Sequence, residues 1–144
     1  MEEKHIGHEI RILNNQIRRY VSKSCSDILE DESTPIHGWI ICYLMKNKDR
    51  NVFQKDIENE FQIRRSTASN ILDNMESKGY IERKEVKEDA RLKSIVLTDK
   101  AIKINSELKE NIKQNERIFS KDISKEDLDT FFRVIDMIKD NLEG

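Results

Sequence analysis

The chain has 144 residues, with 26 Lys+Arg against 28 Asp+Glu, a net charge of −2 and 38% charged residues; that is one domain's worth of chain and suits long solvated helices. Hydrophobic residues supply 36% and aromatics 6%, a thin core for this length, so part of the stability is expected from a partner chain. Four scattered glycines (Gly7, Gly38, Gly79, Gly144) and the single Pro35 exclude Gly-rich phosphate loops, collagen-like repeats and Pro-rich linkers.

From Ile6 the apolar residues Ile10, Leu13, Ile17, Tyr20 or Val21, and Ile28 recur in steps of four and three, one face of a long amphipathic helix. The pattern breaks around residues 31 to 35, where Thr34 followed by Pro35 reads as an N-cap with proline at the first helical position. A second helix is predicted from 35 to about 45, and KNKDRN is a polar turn. Phe53, Ile57 and Phe61 define a short third helix. A fourth follows at Ile63 with the stripe Ile63, Ala68, Ile71, Leu72 and Met75, and it ends at Gly79, a C′ glycine able to turn left-handed.

The period then changes. Residues 80 to 86 and 92 to 97 are β-rich runs joined by the polar tip KEDA, which predicts a hairpin. Thr98 can cap a long helix carrying Ile104, Leu108, Ile112 and Phe119. Ser124 can cap a last helix carrying Leu128, Phe131, Phe132, Ile135, Ile138 and Leu142. Two short helices, a tight turn and a two-stranded hairpin make a winged helix-turn-helix. The expected fold is therefore mainly α with a small β-hairpin, a winged helix flanked by long N- and C-terminal helices.

The fourth helix, residues 64 to 77, sets its apolar side against a face of Arg65, Ser66, Ser69, Asn70, Asp73 and Asn74. Short hydroxyl and amide side chains let a backbone approach DNA and can bond base edges or phosphates, while Arg64 and Arg65 supply charge. Bulk charge does not point to nucleic acid: residues 61 to 93 hold eight Lys/Arg against six acids, a net of +2, and solvated surface charge accounts for that composition equally well. What favours DNA is placement, because the basic residues in the first turn of that helix are unopposed. On the hairpin tip, Asp89 and Arg91 stand two apart, close enough for the carboxylate to orient the guanidinium toward a narrow A·T-rich minor groove. The plain alternative is an exposed ion pair worth little.

The run RRSTASNILDNMESKGYIERKEVKEDARLKSIVLT resembles the signature of MarR-family transcriptional regulators, at Ser66, Thr67, Ser69, Asp73, Lys78, Gly79, Arg83, Asp89, Arg91, Leu97 and Thr98. Asn70 and Asn74 depart from the arginine often found in the middle of the family's recognition helix. Ala90 replaces a common wing arginine, leaving one guanidinium per wing, and Ala101 stands where glycine is frequent. The resemblance implies a single unit over 1–144, with dimerisation helices at 1–32 and 100–144 around a DNA-binding lobe at 33–99. It implies a homodimer that binds double-stranded DNA; taken with the polar helix face read above, the expected DNA-contacting residues are Arg64, Arg65, Ser66, Thr67, Ser69, Asn70, Asn74 and Arg91, with Asp89 orienting the wing. A repressor of a pseudo-palindromic operator, released by a small-molecule effector, is the expected function; the alternatives are an activator or ligand-independent regulator of the same fold, and a helical protein-interaction module.

Other residues carry weaker signals. His5 and His8 lie one turn apart with only His37 as a third imidazole, so surface histidines are expected rather than a metal site, and no cofactor is implied. Cys25 and Cys42 form neither a CxxC pair nor a disulfide framework and read as packed thiols. Trp39 and Tyr43 fit either the core of the second helix or the wall of an effector cavity. No stretch approaches the roughly 20 apolar residues of a membrane span, and MEEKHIGHEIR lacks the apolar region of a signal peptide, so a cytoplasmic location is expected. No nucleophile–base or metal constellation suggests an enzyme.

Overall fold

The structure is a computed structural model that describes residues 2–29 and 35–144. In chain order its elements are α1 (Ile6–Leu29), α2 (Pro35–Lys46), α3 (Gln54–Phe61), α4 (Arg65–Ser77), β1 (Ile81–Val86), β2 (Asp89–Leu97), α5 (Asp99–Phe119) and α6 (Lys125–Glu143). The chain divides into two compact units, Met1–Asn111 and Ile112–Gly144, with the boundary inside α5.

In the first unit, the core is built from Cys25 and Leu29 of α1, Ile40, Ile41 and Leu44 of α2, Ile57 of α3, Leu72 and Met75 of α4, and Tyr80, Ile81 and Ile95 at the hairpin. Pro35 opens α2 as expected, while its Thr34 cap lies outside the described residues. Phe53, at the N-cap of α3, has no acceptor side chain, and the Asp56 carboxylate instead accepts the Phe53 N–H at 2.8 Å. Gln62 then turns left-handed with φ of 50° and Arg64 is extended, so α4 begins at Arg65, two residues later than the apolar stripe suggests. Ile63 packs against the core from the turn rather than from the helix.

Gly79 ends α4 as its sequence position predicts. With φ of 81°, it lets the Tyr80 N–H reach the Met75 carbonyl at 2.9 Å and its own N–H reach the Glu76 carbonyl at 3.0 Å, a Schellman motif that satisfies two of the helix's last carbonyls. Met75 and Tyr80, the two residues this motif brings together, are both fully buried. The Tyr80 hydroxyl donates to the carbonyl of Leu29, tying the junction to the end of α1. Thr98 closes the loop from the other side: its N–H donates to the Tyr80 carbonyl at 3.1 Å and its hydroxyl to the Gly79 carbonyl at 2.6 Å. The same oxygen accepts from the Ala101 N–H at 3.4 Å, the expected cap of α5.

The strands β1 and β2 pair antiparallel from Ile81 opposite Leu97 to Glu85 opposite Lys93, and then slip so that Val86 faces Asp89. The turn is thus only Lys87 and Glu88, and the expected KEDA tip is tighter than its four residues, because Asp89 and Ala90 belong to β2. Near the root, the Ile95 N–H donates to the Val52 carbonyl at 2.7 Å, just before α3.

In the second unit, Ser124 caps α6 by accepting from the Asp127 N–H at 3.1 Å. None of the α6 residues is buried; Phe131 and Phe132 meet edge-to-face at 5.4 Å, and Phe132 is 56% exposed. On α1, the predicted stripe residues Ile6, Ile10, Leu13 and Tyr20 are likewise exposed. Scattered exposed apolar residues are ordinary, but stripes at helical spacing on two long helices are not.

An added Cβ at Gly79 meets nothing within 4 Å, so substitution there is opposed by backbone conformation alone. Gly79→Ala should lose about 1–2 kcal/mol of stability in a denaturant melt, from the left-handed penalty, and Gly79→Asn should lose less.

Candidate nucleic-acid interface

Burial of Ala68, Leu72 and Met75 fixes which way α4 faces. Arg65, Ser66, Thr67, Asn70, Asp73 and Asn74 are exposed on it, and Arg64 is exposed at the N-cap. Arg64 offers no side-chain cap, so the first-turn N–H groups of α4 lie beside two arginines and two hydroxyls with no side chain of the cap closing them off. A helix N-terminus of this kind favours an anionic oxygen.

Ser69 behaves differently from its neighbours. It is half-buried against α3, and its Oγ accepts a hydrogen bond from Gln54 Nε2 at 2.9 Å. The same amide nitrogen lies 3.4 Å from the Arg65 carbonyl and 3.4 Å from a Glu58 carboxylate oxygen. Carbonyl and carboxylate oxygens only accept, so the nitrogen of Gln54 must face this seam and Ser69 must accept from it. The Ser69 hydroxyl proton is not used in that bond. Gln54 is a residue that sequence patterns do not single out, because its role depends on a contact fifteen positions away between two helices.

On the hairpin, the Asp89 carboxylate accepts from the Arg91 backbone N–H at 2.9 Å, from its Nε at 3.2 Å and from its Nη2 at 3.4 Å. The backbone bond first, and the guanidinium second, hold the Asp89 carboxyl below its ordinary range. The Arg91 side chain is 91% exposed. The expected pairing of Asp89 with Arg91 is present, but it sits at the start of β2 beside the two-residue turn rather than on a four-residue loop. The ion pairs Lys93–Glu85 and Lys84–Glu82 on the same hairpin are exposed and contribute little.

The remaining candidates sort differently. His5 and His8 are exposed, whereas His37 is buried in α2 and is not the surface histidine expected of it. Among the described residues, no group of three His, Cys, Asp or Glu side chains could hold a metal. Cys25 is buried; Cys42 is half-buried, and burial pushes its thiol up against the opposing pull of Lys109, which makes it a poor nucleophile. Trp39 is 47% exposed and is not part of the core, because Ile40, Ile41 and Leu44 take the inward face of α2. Tyr43 stacks edge-on against Phe61 at 5.9 Å and accepts from Arg50 Nη2 at 2.7 Å. No helix among the described residues is long and apolar enough to cross a membrane.

Because the folded-state pKa of Asp89 is depressed, its bonds to Arg91 are complete at neutral pH and are lost only as pH falls through that lowered value. In a carboxyl-carbon NMR titration, Asp89 should titrate below an ordinary aspartate. Arg91→Ala should recover only part of the difference, since the larger contribution comes from a backbone N–H that alanine keeps.

Residues 34–92 match the MarR family. No curated protein sequence matches the chain. Among solved structures, the transcription regulator MarR from Oenococcus oeni PSU-1 is similar at 26% identity and a TM-score of 0.77, over 94% of this chain and 99% of that one. The S. aureus MepR–DNA complex is similar at 22% identity and a TM-score of 0.87, over 97% of this chain and 99% of that one. The heme sensor protein PefR from Streptococcus agalactiae, in complex with heme, is similar at 26% identity and a TM-score of 0.68, over 96% and 95% of the two chains. The winged-helix segment at 34–92 thus matches the MarR family, and along nearly its whole length the chain shares the winged-helix fold of the transcription regulator MarR from Oenococcus oeni PSU-1.

Proposed function

We propose that the protein is a homodimeric repressor that binds a pseudo-palindromic operator in double-stranded DNA and releases it on binding a small molecule. The observation that carries the DNA reading is the exposed polar face of α4, with Asn70 and Asn74 flanked by Arg64 and Arg65, followed directly by a hairpin whose Arg91 is oriented by Asp89. In this reading, Asn70 and Asn74 bond base edges in the major groove, where an amide can pair bidentately with adenine. Arg64, Arg65, Ser66 and Thr67 hold phosphates, Ser69 donates its hydroxyl proton, and Arg91 enters the minor groove. The DNA held by MepR supports it through the shared fold.

The exposed apolar stripes of α1 and α6 support a second copy as the partner, with residues 1–32 and 100–144 as the dimerisation helices around a lobe at 33–99. A two-fold dimer places two recognition helices about 34–36 Å apart, one turn of DNA, which is why the operator should be pseudo-palindromic. The heme held by PefR supports a small-molecule effector of some kind. The protein would act in the cytoplasm, where its DNA lies.

Sedimentation at micromolar concentration should give twice the 17.1 kDa chain mass; a folded monomer would sink the dimer. Selection from a random duplex pool should return an inverted repeat, and affinity for it should fall steeply with log salt. On that site, Asn70→Ala should cost about 1–3 kcal/mol with little change in melting temperature or in binding to random DNA. Equal losses on both DNAs would show that the helix touches only backbone. Arg91→Ala should lower the salt slope by about one per wing, and an unaltered operator affinity would make the hairpin a structural element and favour a protein-interaction role.

A further inference from the structure

The recognition helix is acidic at its far end. Within Arg65–Ser77 there is one arginine, at the first position, against Asp73 and Glu76 toward the end, and the last turn carries no basic residue. Two carboxylates there oppose the helix dipole, whose C-terminal end is already negative, and in a groove they would face phosphates within a Debye length. A helix so charged is a poor visitor to a polyanion unless its acids are neutralised.

The neutralising charge comes from the next element. Arg83 of β1 places Nη1 2.7 Å from Asp73 Oδ1 and 3.2 Å from Glu76 Oε1, and its backbone N–H donates to Glu76 Oε2 at 3.2 Å. Its side chain is only 21% exposed, against 66% for Asp73 and 43% for Glu76, so the guanidinium is committed to the two acids and is not held out as a phosphate contact. One planar group thereby bridges two turns of α4 to the root of the hairpin.

We infer that Arg83 is a positioning residue for DNA binding: it masks the two carboxylates of the recognition helix and holds the wing root to that helix, so that an acidic α4 can enter a groove. This rests on the DNA-binding reading above. It assigns Asp73, which shares the polar face of α4 with Asn70 and Asn74, to the wing rather than to a base.

The test is a set of variants on full-length protein, each checked by melting temperature and measured on the selected operator and on random duplex over a range of salt. Arg83→Gln, which removes the charge and shortens the side chain but leaves an amide donor, should weaken both DNAs by on the order of tenfold at about 0.1 M salt. Adding Asp73→Asn and Glu76→Gln to Arg83→Gln should restore affinity to within about threefold of the parent, because no unmasked carboxylate remains. Arg83→Lys should retain most of the affinity, since it keeps the charge. A folded triple variant as weak as Arg83→Gln would overturn the masking role, and so would Arg83→Gln with parental affinity. If the parent chain itself binds no duplex, the DNA reading falls and this inference with it; if the parent binds and the triple variant is not rescued, only this inference falls.

Discussion

The hydroxyl of Tyr80 donating to the carbonyl of Leu29 is the bond on which the placement of α4 and the hairpin against α1 depends. Leu29 is the last described residue of α1 and is buried, so its carbonyl needs a donor away from water. Left buried without a donor, such a group costs about 1–3 kcal/mol. Tyr80 supplies the donor because Gly79 has turned the chain sharply at the end of α4, and Thr98 then seals the turn from the end of β2. Lys100 adds its ammonium 4.6 Å from the Tyr80 ring centre and donates to the Lys78 carbonyl at 3.0 Å. Four elements, α1, α4, β1 and the start of α5, meet within three consecutive residues.

Much of this was legible in the sequence, for physical reasons that differ by element. The long helices announce themselves through steps of three and four, and Gly79 and Ser124 mark helix ends because left-handed backbone and capping oxygens have few residue solutions. The start of α4 was less legible: Ile63 continues the apolar stripe, and only the backbone turn at Gln62 shows that it belongs to the preceding corner. Trp39 was misleading for a related reason, since α2 is apolar nearly all round and periodicity does not say which face is inside. Gln54 and the bridging role of Arg83 were invisible, because both act across tertiary contacts that leave no local spacing.

The electrostatics follow the same division between bulk and placement. A chain with net charge −2 does not attract DNA by its overall field. Its cations are instead sorted by position: Arg64 and Arg65 at the uncapped start of α4, and Arg91 at the outer end of the hairpin. Asp73 and Glu76 are engaged by Arg83, and Asp89 by Arg91, in bonds within the protein. Close-range pairing of this sort is screened less by salt than a long-range field is.

The bond between the Ile95 N–H and the Val52 carbonyl divides the hairpin unequally. The root of β2 is gripped on both edges, by β1 and by the approach to α3, while the outer half is paired on one side only and its register slips after Glu85. Conformational entropy is therefore spent in advance at the root and withheld near Arg91. In the proposed DNA complex, the ordering cost of filling a groove would fall on a handful of outer residues, and the wing would follow minor grooves of different width without disturbing the helix behind it.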